Sequence, residues 1–262
     1  MECFRKAEFM IYDLQKASMW KRISAFLFDS ILLGIAAVLF AWLLSIALGY
    51  DAYETKLDAA YNRYGIEYGV NFDMSLKEYD ELTPEAAEQL NRAYAALFAD
   101  EEASGAYNMI VSLMLTITSL GLLAGYTIME FLIPMKIGNG QTLGKKIFGI
   151  GLMRQDGVQI SNKLLFVRTF LGKYTLETMI PVLIVMMIWL GILGLVGTVV
   201  LLGIGLVQLM MLIMTKNRLV IHDALAATVA VDIASQMIFP DREAMIAYKE
   251  RIHAEQAANA EY

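Results

Sequence analysis

The sequence predicts an all-α polytopic membrane protein with four transmembrane helices, a small cytoplasmic subdomain holding a short β-ladder, and a helical, acidic extracellular loop. Three observations lead there. Of 262 residues, 58% are hydrophobic and 18% charged, where a soluble domain carries about 25% charged residues. The apolar regions 25–49, 108–133 and 179–214 each reach the roughly 20 residues a helix needs to cross the hydrocarbon core. Lysine and arginine, finally, cluster in a pattern. Five precede Ala25, four fall in 50–107, seven in 134–178 and five follow Met214. Lys/Arg-rich segments stay on the cytoplasmic side. Both termini and 134–178 therefore read as cytoplasmic, and that arrangement needs an even number of crossings.

The elements follow in order. Residues 1–24 read as a cytoplasmic amphipathic segment ending in the pair Lys21-Arg22, and 25–49 as the first span, with Asp29 its only charge. The apolar part is too long for a cleaved signal peptide and no small-residue cleavage site is clear. Residues 50–107 form the external loop; from Asp51 to Tyr107 it has 13 acidic residues against four basic ones. Helix is expected to continue from the first span to about Tyr64, with Gly65 and Gly69 breaking it. Thr83-Pro84-Glu85 then starts a second helix, with Thr as N-cap and Pro in the first turn. The loop reads either as a solvated acidic cap or as a surface that attracts cations or a partner.

Residues 108–133 are the second span, with Gly121 and Gly125 spaced for close helix approach. Residues 134–178 are a basic cytoplasmic segment. There Gly138 and Gly140 mark a turn, Asp156-Gly157 a hairpin, and Ser161 the cap of a helix running through Arg168 and Lys173 into the third span. The run 179–214 has no charge in 36 residues and is divided into spans 179–196 and 197–214, with a turn near Gly191, Gly194 and Gly197. Residues 215–262 complete the cytoplasmic side. Val229–Val231 is expected to pair with Ile147–Met153, and a polar helix to run from Asp241 to about Ala257.

Several function classes fall away. A single cysteine, Cys3, excludes an internal disulfide and any cysteine-based metal site. No basic stripe is present and the pI is about 5.1, so nucleic acid is not an expected partner. "GNGQTLGKK" superficially suggests a phosphate loop. However, Asn139 stands where the first glycine is required and Lys146 where Ser or Thr is required. His222-Asp223 suggests a dyad, but no nucleophile or third partner can be named. No catalytic residue, metal site or cofactor is expected, and the chain does not read as an enzyme.

Three motifs carry a resemblance: Arg22 followed seven residues later by Asp29, "GQTLGKKIFGI" after the second span, and "RLVIHDALAATVAV" near the end. In this order they resemble the RDD family of membrane proteins, named for one arginine and two aspartates. The resemblance covers about 16–49 and 108–233, a 16–233 region with the external loop inserted. It assigns Arg22, Asp29 and Asp223 to the signature. Two features depart from the family pattern: the family is usually described with three spans, and the acidic loop lies outside the shared core. What the resemblance implies is membrane transport of a small solute, sometimes cation/proton exchange.

Residues expected to support the signature are Glu130, Gln141, Thr142, Gly144, Lys145, His222 and Thr228. Seven residues are two helical turns, so Arg22 and Asp29 share a face about 10.5 Å apart along the axis. A charged Asp well inside a membrane helix costs about 2.5–3.5 kcal/mol, so Asp29 should face protein or water. It reads either as half of a structural clamp with Arg22, Lys145, Lys146 or Arg218, or as a proton or cation site. Asp223 is expected to cap a short helix over 224–228 or to accept from Arg22 or Lys145. Ser112, Thr116, Ser119, Thr127 and Glu130 share one helical face, which serves packing or a polar path. Two functions therefore compete: a small-solute or cation/proton transporter, and a non-catalytic membrane scaffold that binds partners. The expected surroundings are the lipid bilayer of the cell membrane, a cation or proton, and a second copy in a homo-oligomer.

Overall fold

A computed structural model of the chain describes residues 14–258. Of the expected N-terminal amphipathic segment, 1–13 lie outside the described residues, and so does Cys3. Among the described residues, four helices are long and apolar enough to cross a membrane: Met19–Leu48 (α1), Glu101–Ile137, Asn162–Trp189 and Gly194–Met214. The protein is a helical, multi-pass membrane protein, with one two-stranded sheet among the described residues. Large apolar side chains stand outward along these helices, as lipid-facing positions require. Trp42 on the first and Leu202 on the last are 58% and 64% exposed.

The chain divides into two compact units. One holds residues up to Ala37 and from Leu122 onward; the other is Val38–Gly121. The second unit contains α2 (Tyr50–Tyr68), α3 (Leu76–Asp80) and α4 (Pro84–Ala99). Gly49 (φ +67°) separates α2 from α1, and Gly69 (φ +62°) ends it. Gly65 does not break the helix as expected. It lies inside α2, where its carbonyl accepts from Val70 N–H as the chain turns back. Ser75 and Glu78 form a reciprocal capping box on α3. Thr83 accepts from Ala86 N–H at the start of α4, with Pro84 in its first turn. Ala60, Leu97 and Ala103 make the core of this unit, with Tyr61, Tyr64, Phe72 and Tyr94 packed on it. The Asp100 carboxylate caps the next helix through the N–H groups of Glu102 and Ala103 and receives Arg63 and the Tyr64 hydroxyl.

The helix Glu101–Ile137 (α5) belongs to the first unit from Leu122 onward, and there it widens into an i→i+5 turn over Thr127–Leu132. Gly125 lets α1 approach: a Cβ there would stand 3.3–3.4 Å from Leu33 and Ala37. Asn162–Trp189 (α7) begins well before Met179, where the apolar run starts. Ser161 caps it, and Val167–Met179 is wound with i→i+5 bonds. Arg168 and Lys173 sit on this long helix, as expected of a helix that Ser161 opens. Gly191 (φ +73°) and Gly194 (φ +43°) make the turn into Gly194–Met214 (α8), while Gly197, also expected at the turn, lies buried inside α8.

The remaining pieces form a repeated arrangement. The five-residue helix α6 (Leu143–Ile147) leads into β1 (Ile150–Arg154), and the five-residue helix α9 (Ile221–Leu225) leads into β2 (Thr228–Asp232). The strands pair antiparallel, from Ile150 opposite Asp232 to Arg154 opposite Thr228. The ladder unites the two segments expected to pair, shifted slightly: 147–149 is helix end and turn. Ile150, Leu152, Val229 and Val231 are fully buried, and Ala17 adds a backbone bond to Ala230. Two segments too short to fold alone thus share one core. Asp156-Gly157 forms the tight turn after β1, and Arg242–Ala258 (α10) ends the described chain, its start capped by Asp241.

Candidate functional site

Asp29 points from α1 at the start of α6. Its Oδ1 accepts from Gly144 N–H at 2.7 Å, and its Oδ2 accepts from the Thr142 hydroxyl. Thr142 in turn caps α6 by accepting from Lys145 N–H at 3.3 Å. The carboxylate is thus held by the neutral donors of a helix start. The expected clamp cations, Arg22, Lys145, Lys146 and Arg218, are not its bonded partners, which corrects the sequence reading. A helix N-terminus leaves N–H groups unsatisfied, and a carboxylate is a strong acceptor for them. Gly144 is required by the same contact, since a Cβ there would lie 2.6 Å from the Ala25 carbonyl and 2.9 Å from Asp29. Gln141, just before, is buried and donates to the Ile150 carbonyl, fixing α6 to β1.

Asp223 is 1% exposed. It lies inside α9, not at its cap as expected. Its Oδ1 accepts from Arg168 Nε at 3.0 Å and Nη2 at 2.9 Å, and from the Thr228 hydroxyl at 3.1 Å. Arg22 approaches Oδ2 at 3.6 Å while donating to the Arg218 carbonyl at 3.0 Å. Burial alone would push the Asp223 carboxyl up, but Arg168, His222 and Arg22 hold it well below the usual carboxylate range. Two of the three signature residues, Arg22 and Asp223, therefore meet, and Arg168 is the closer partner. Asp29 belongs to a separate contact.

Two further pairs line the same region. Glu130 is buried, with Lys173 Nζ at 2.5 Å and Lys145 Nζ at 3.9 Å. Glu177 receives His222 twice: the backbone N–H at 2.9 Å, and ring Nδ1, which lies 2.6 Å from Oε2. Burial first, and then Arg168, push the His222 imidazolium down in pKa. Gly172 makes the approach of α9 feasible, since a Cβ there would stand 2.5 Å from the His222 Cβ. The polar face expected on the second span is spent locally: Ser112, Thr116 and Thr127 bond their own i−4 carbonyls.

These groups surround a cavity of about 600 Å³. Its charged lining is Arg22, Asp29, Glu130, Lys145, Arg168, Lys173, Glu177 and Asp223, with His222 and Gln208 beside them. Ile23, Phe26, Leu33, Leu209 and Leu212 supply an apolar wall. Among the described residues, three buried polar atoms have no hydrogen-bond partner: Glu130 Oε2, Lys145 Nζ and Arg168 Nη1. Burial first, then the nearby Lys173 and Arg168 charges, bring the Lys145 ammonium down to about 7, against the pull of Glu130 and Asp29.

Sequence reasoning missed Arg168, Lys173, Glu177 and Gln208. Charges within a helix that continues into an apolar span were the available signal. Geometry hid it: residues five apart on an α-helix diverge by about 140°, whereas i→i+5 winding returns Arg168 and Lys173 toward one face.

The model of the RDD family matches residues 16–227. No curated protein and no solved structure matches the chain.

Proposed function

The chain belongs to the RDD family, and on that premise we propose that it carries a small charged solute across the cell membrane. The observation that supports this reading is the cavity of about 600 Å³, lined by ionisable side chains that three of the apolar helices bring together. Charges inside membrane helices are costly and mark solute or proton pathways. In this reading Arg22, Asp29 and Asp223 hold the walls, and Glu130, Lys145, Lys173, Glu177 and His222 face the solute. Both termini and the ladder lie on the cytoplasmic side, following the Lys/Arg distribution, and no residue acts as a catalyst.

The test is flux in proteoliposomes holding the purified protein. Sodium, potassium and small organic anions are offered in turn, with a pH-sensitive dye inside. Flux above that of empty liposomes, lost in a folded Glu130→Gln variant, is the expected result. Folded protein that moves none of these solutes, with or without a pH gradient, would sink the reading.

One observation favours a second reading, a non-catalytic scaffold that binds a partner or a second copy. All three signature side chains are spent on ties between segments of the chain. A scaffold predicts no flux, and it predicts lower folded yield for Asp29→Asn.

A further inference from the structure

We propose that the cavity binds a small oxyanion carried on an apolar body, a carboxylate or phosphate group whose oxygens take the unused hydrogens of Lys145 and Arg168. This rests on the transport reading above and names its solute class. Arg168 is 2% exposed. It commits Nε and Nη2 to Asp223 and leaves Nη1 without a hydrogen-bond partner. The Lys145 side chain is 12% exposed, and its Nζ makes no hydrogen bond, with Glu130 Oε2 3.9 Å away. Both residues line the same cavity. Buried donors of this kind are ordinarily satisfied, and a guanidinium or ammonium has only donors to offer.

The remaining charges decide the sign of the ligand. Asp29 is occupied by Thr142 and Gly144, Asp223 by Arg168, Thr228 and Arg22, Glu177 by His222, and Lys173 by Glu130. An entering cation would find a single unbonded carboxylate oxygen, Glu130 Oε2, with Lys145 Nζ already 3.9 Å from it, whereas an oxyanion finds two donors with nothing to bond. The third free atom, Glu130 Oε2, is an acceptor. It selects among oxyanions for one that also carries a hydroxyl, such as a singly protonated phosphate or a hydroxy acid. The wall of Phe26, Leu33 and Leu209 takes the apolar part, and about 600 Å³ suits a small organic molecule.

Two sources offer this chemistry: a water-soluble organic anion and an anionic lipid headgroup. The experiment separates them with full-length protein in nanodiscs of neutral phosphatidylcholine. Octanoate, hexyl phosphate and 2-hydroxyoctanoate are titrated calorimetrically, and phosphatidic acid retention is read by native mass spectrometry. Saturable binding of a soluble probe identifies the first source; retained phosphatidic acid with no soluble-probe binding identifies the second. In either case Lys145→Gln should weaken binding at least about tenfold, the loss of one charge-assisted hydrogen bond. Arg154→Ala, at an exposed pair with Asp156, should leave it unchanged. Should Lys145→Gln fail to fold, Lys145→Met, which removes the buried donor altogether, replaces it with the same expected loss. Binding of none of the probes, or binding indifferent to the loss of Lys145, overturns the proposal. The transport reading fails separately: an anion that binds but never crosses the proteoliposome refutes flux alone, and cation flux without anion binding refutes this inference alone.

Discussion

Replacing Gly144 with alanine tests one of the close contacts in the molecule's anchoring scheme. In an ordinary five-residue helix the change would be favourable, since alanine exceeds glycine in helix propensity by about 1 kcal/mol. Here the added Cβ would sit 2.6 Å from the backbone carbonyl of Ala25 and 2.9 Å from the Asp29 carboxylate. A backbone carbonyl on a long helix has no rotamer with which to escape. α6 must therefore retreat from α1 by most of an ångström to reach ordinary contact. That retreat stretches the 2.7 Å bond from Gly144 N–H to Asp29. Overpacking of this kind costs about 1–3 kcal/mol, and a weakened hydrogen bond to a charged group costs about 1.5–3 kcal/mol. Set against the propensity gain, the net loss is about 2–5 kcal/mol. Thermal unfolding in detergent should show Tm lower by roughly 5–15 °C, using the response of a domain of this size. An unchanged or raised Tm would mean that Asp29 and Gly144 are not in this contact, and the account of the first signature aspartate would fail with it.

Removing one member of the buried pair should be severe, and removing both should be mild. Asp223→Asn leaves Arg168 buried with its Nε and Nη2 poorly matched and should cost about 3–5 kcal/mol, read as Tm or folded yield. Asp223→Leu with Arg168→Met should recover most of that loss, because an apolar pair of similar volume avoids the desolvation of two charges; equal loss in single and double variants would refute the pairing. Lys145 gives a pH signature. Its pKa falls from the ordinary 10.5 to about 7 on folding, so between those values the unfolded chain binds the extra proton. Stability then rises with pH from about 7 to about 10.5, and the cost of the buried ammonium is fully present below 7. Lys145→Gln should flatten that rise and increase Tm at pH 6; a wild-type Tm insensitive to Lys145→Gln across pH 6–10 would contradict it.

Much of the fold was legible because it depends on hydropathy and on turn chemistry. The apolar runs, the Thr83 and Ser161 caps, the Gly191 and Gly194 turn and the pairing of two orphan β-prone segments all follow from local rules. The site was legible only in its residues, not in its pairings. Sequence reasoning sought a cation for Asp29, because a buried carboxylate is most simply imagined in an ion pair. The backbone of a helix start supplies donors just as well, but backbone N–H groups leave no mark in a sequence. Arg168, Lys173 and Glu177 were hidden for another reason. Their helix was expected from Ser161 onward, but its wide turns break the 3.6-residue period on which face assignments rest.

The two short helices of the first unit show one device used twice. α6 and α9 each have five residues, too few to persist on their own propensity, and each is followed by a strand of the ladder. Each is held at its N-terminal turn by a carboxylate from a membrane helix: Asp29 of α1 at Gly144, Glu177 of α7 at His222. Each is also pressed close through a glycine that admits no Cβ, Gly144 on α6 and Gly172 facing α9. The ladder then ties the two helix–strand segments to each other, so α1 and α7 are linked through it as well as through any contact of their own. A displacement of either helix that carries its carboxylate must drag the ladder or break a charge-assisted bond. The second signature aspartate extends the same logic. Asp223 lies one residue beyond His222 and binds Arg168 of α7 and Arg22 of α1 together. Signature positions that look scattered in the sequence thus converge on the relative placement of two helices, and those two helices contribute to the walls of the charged cavity.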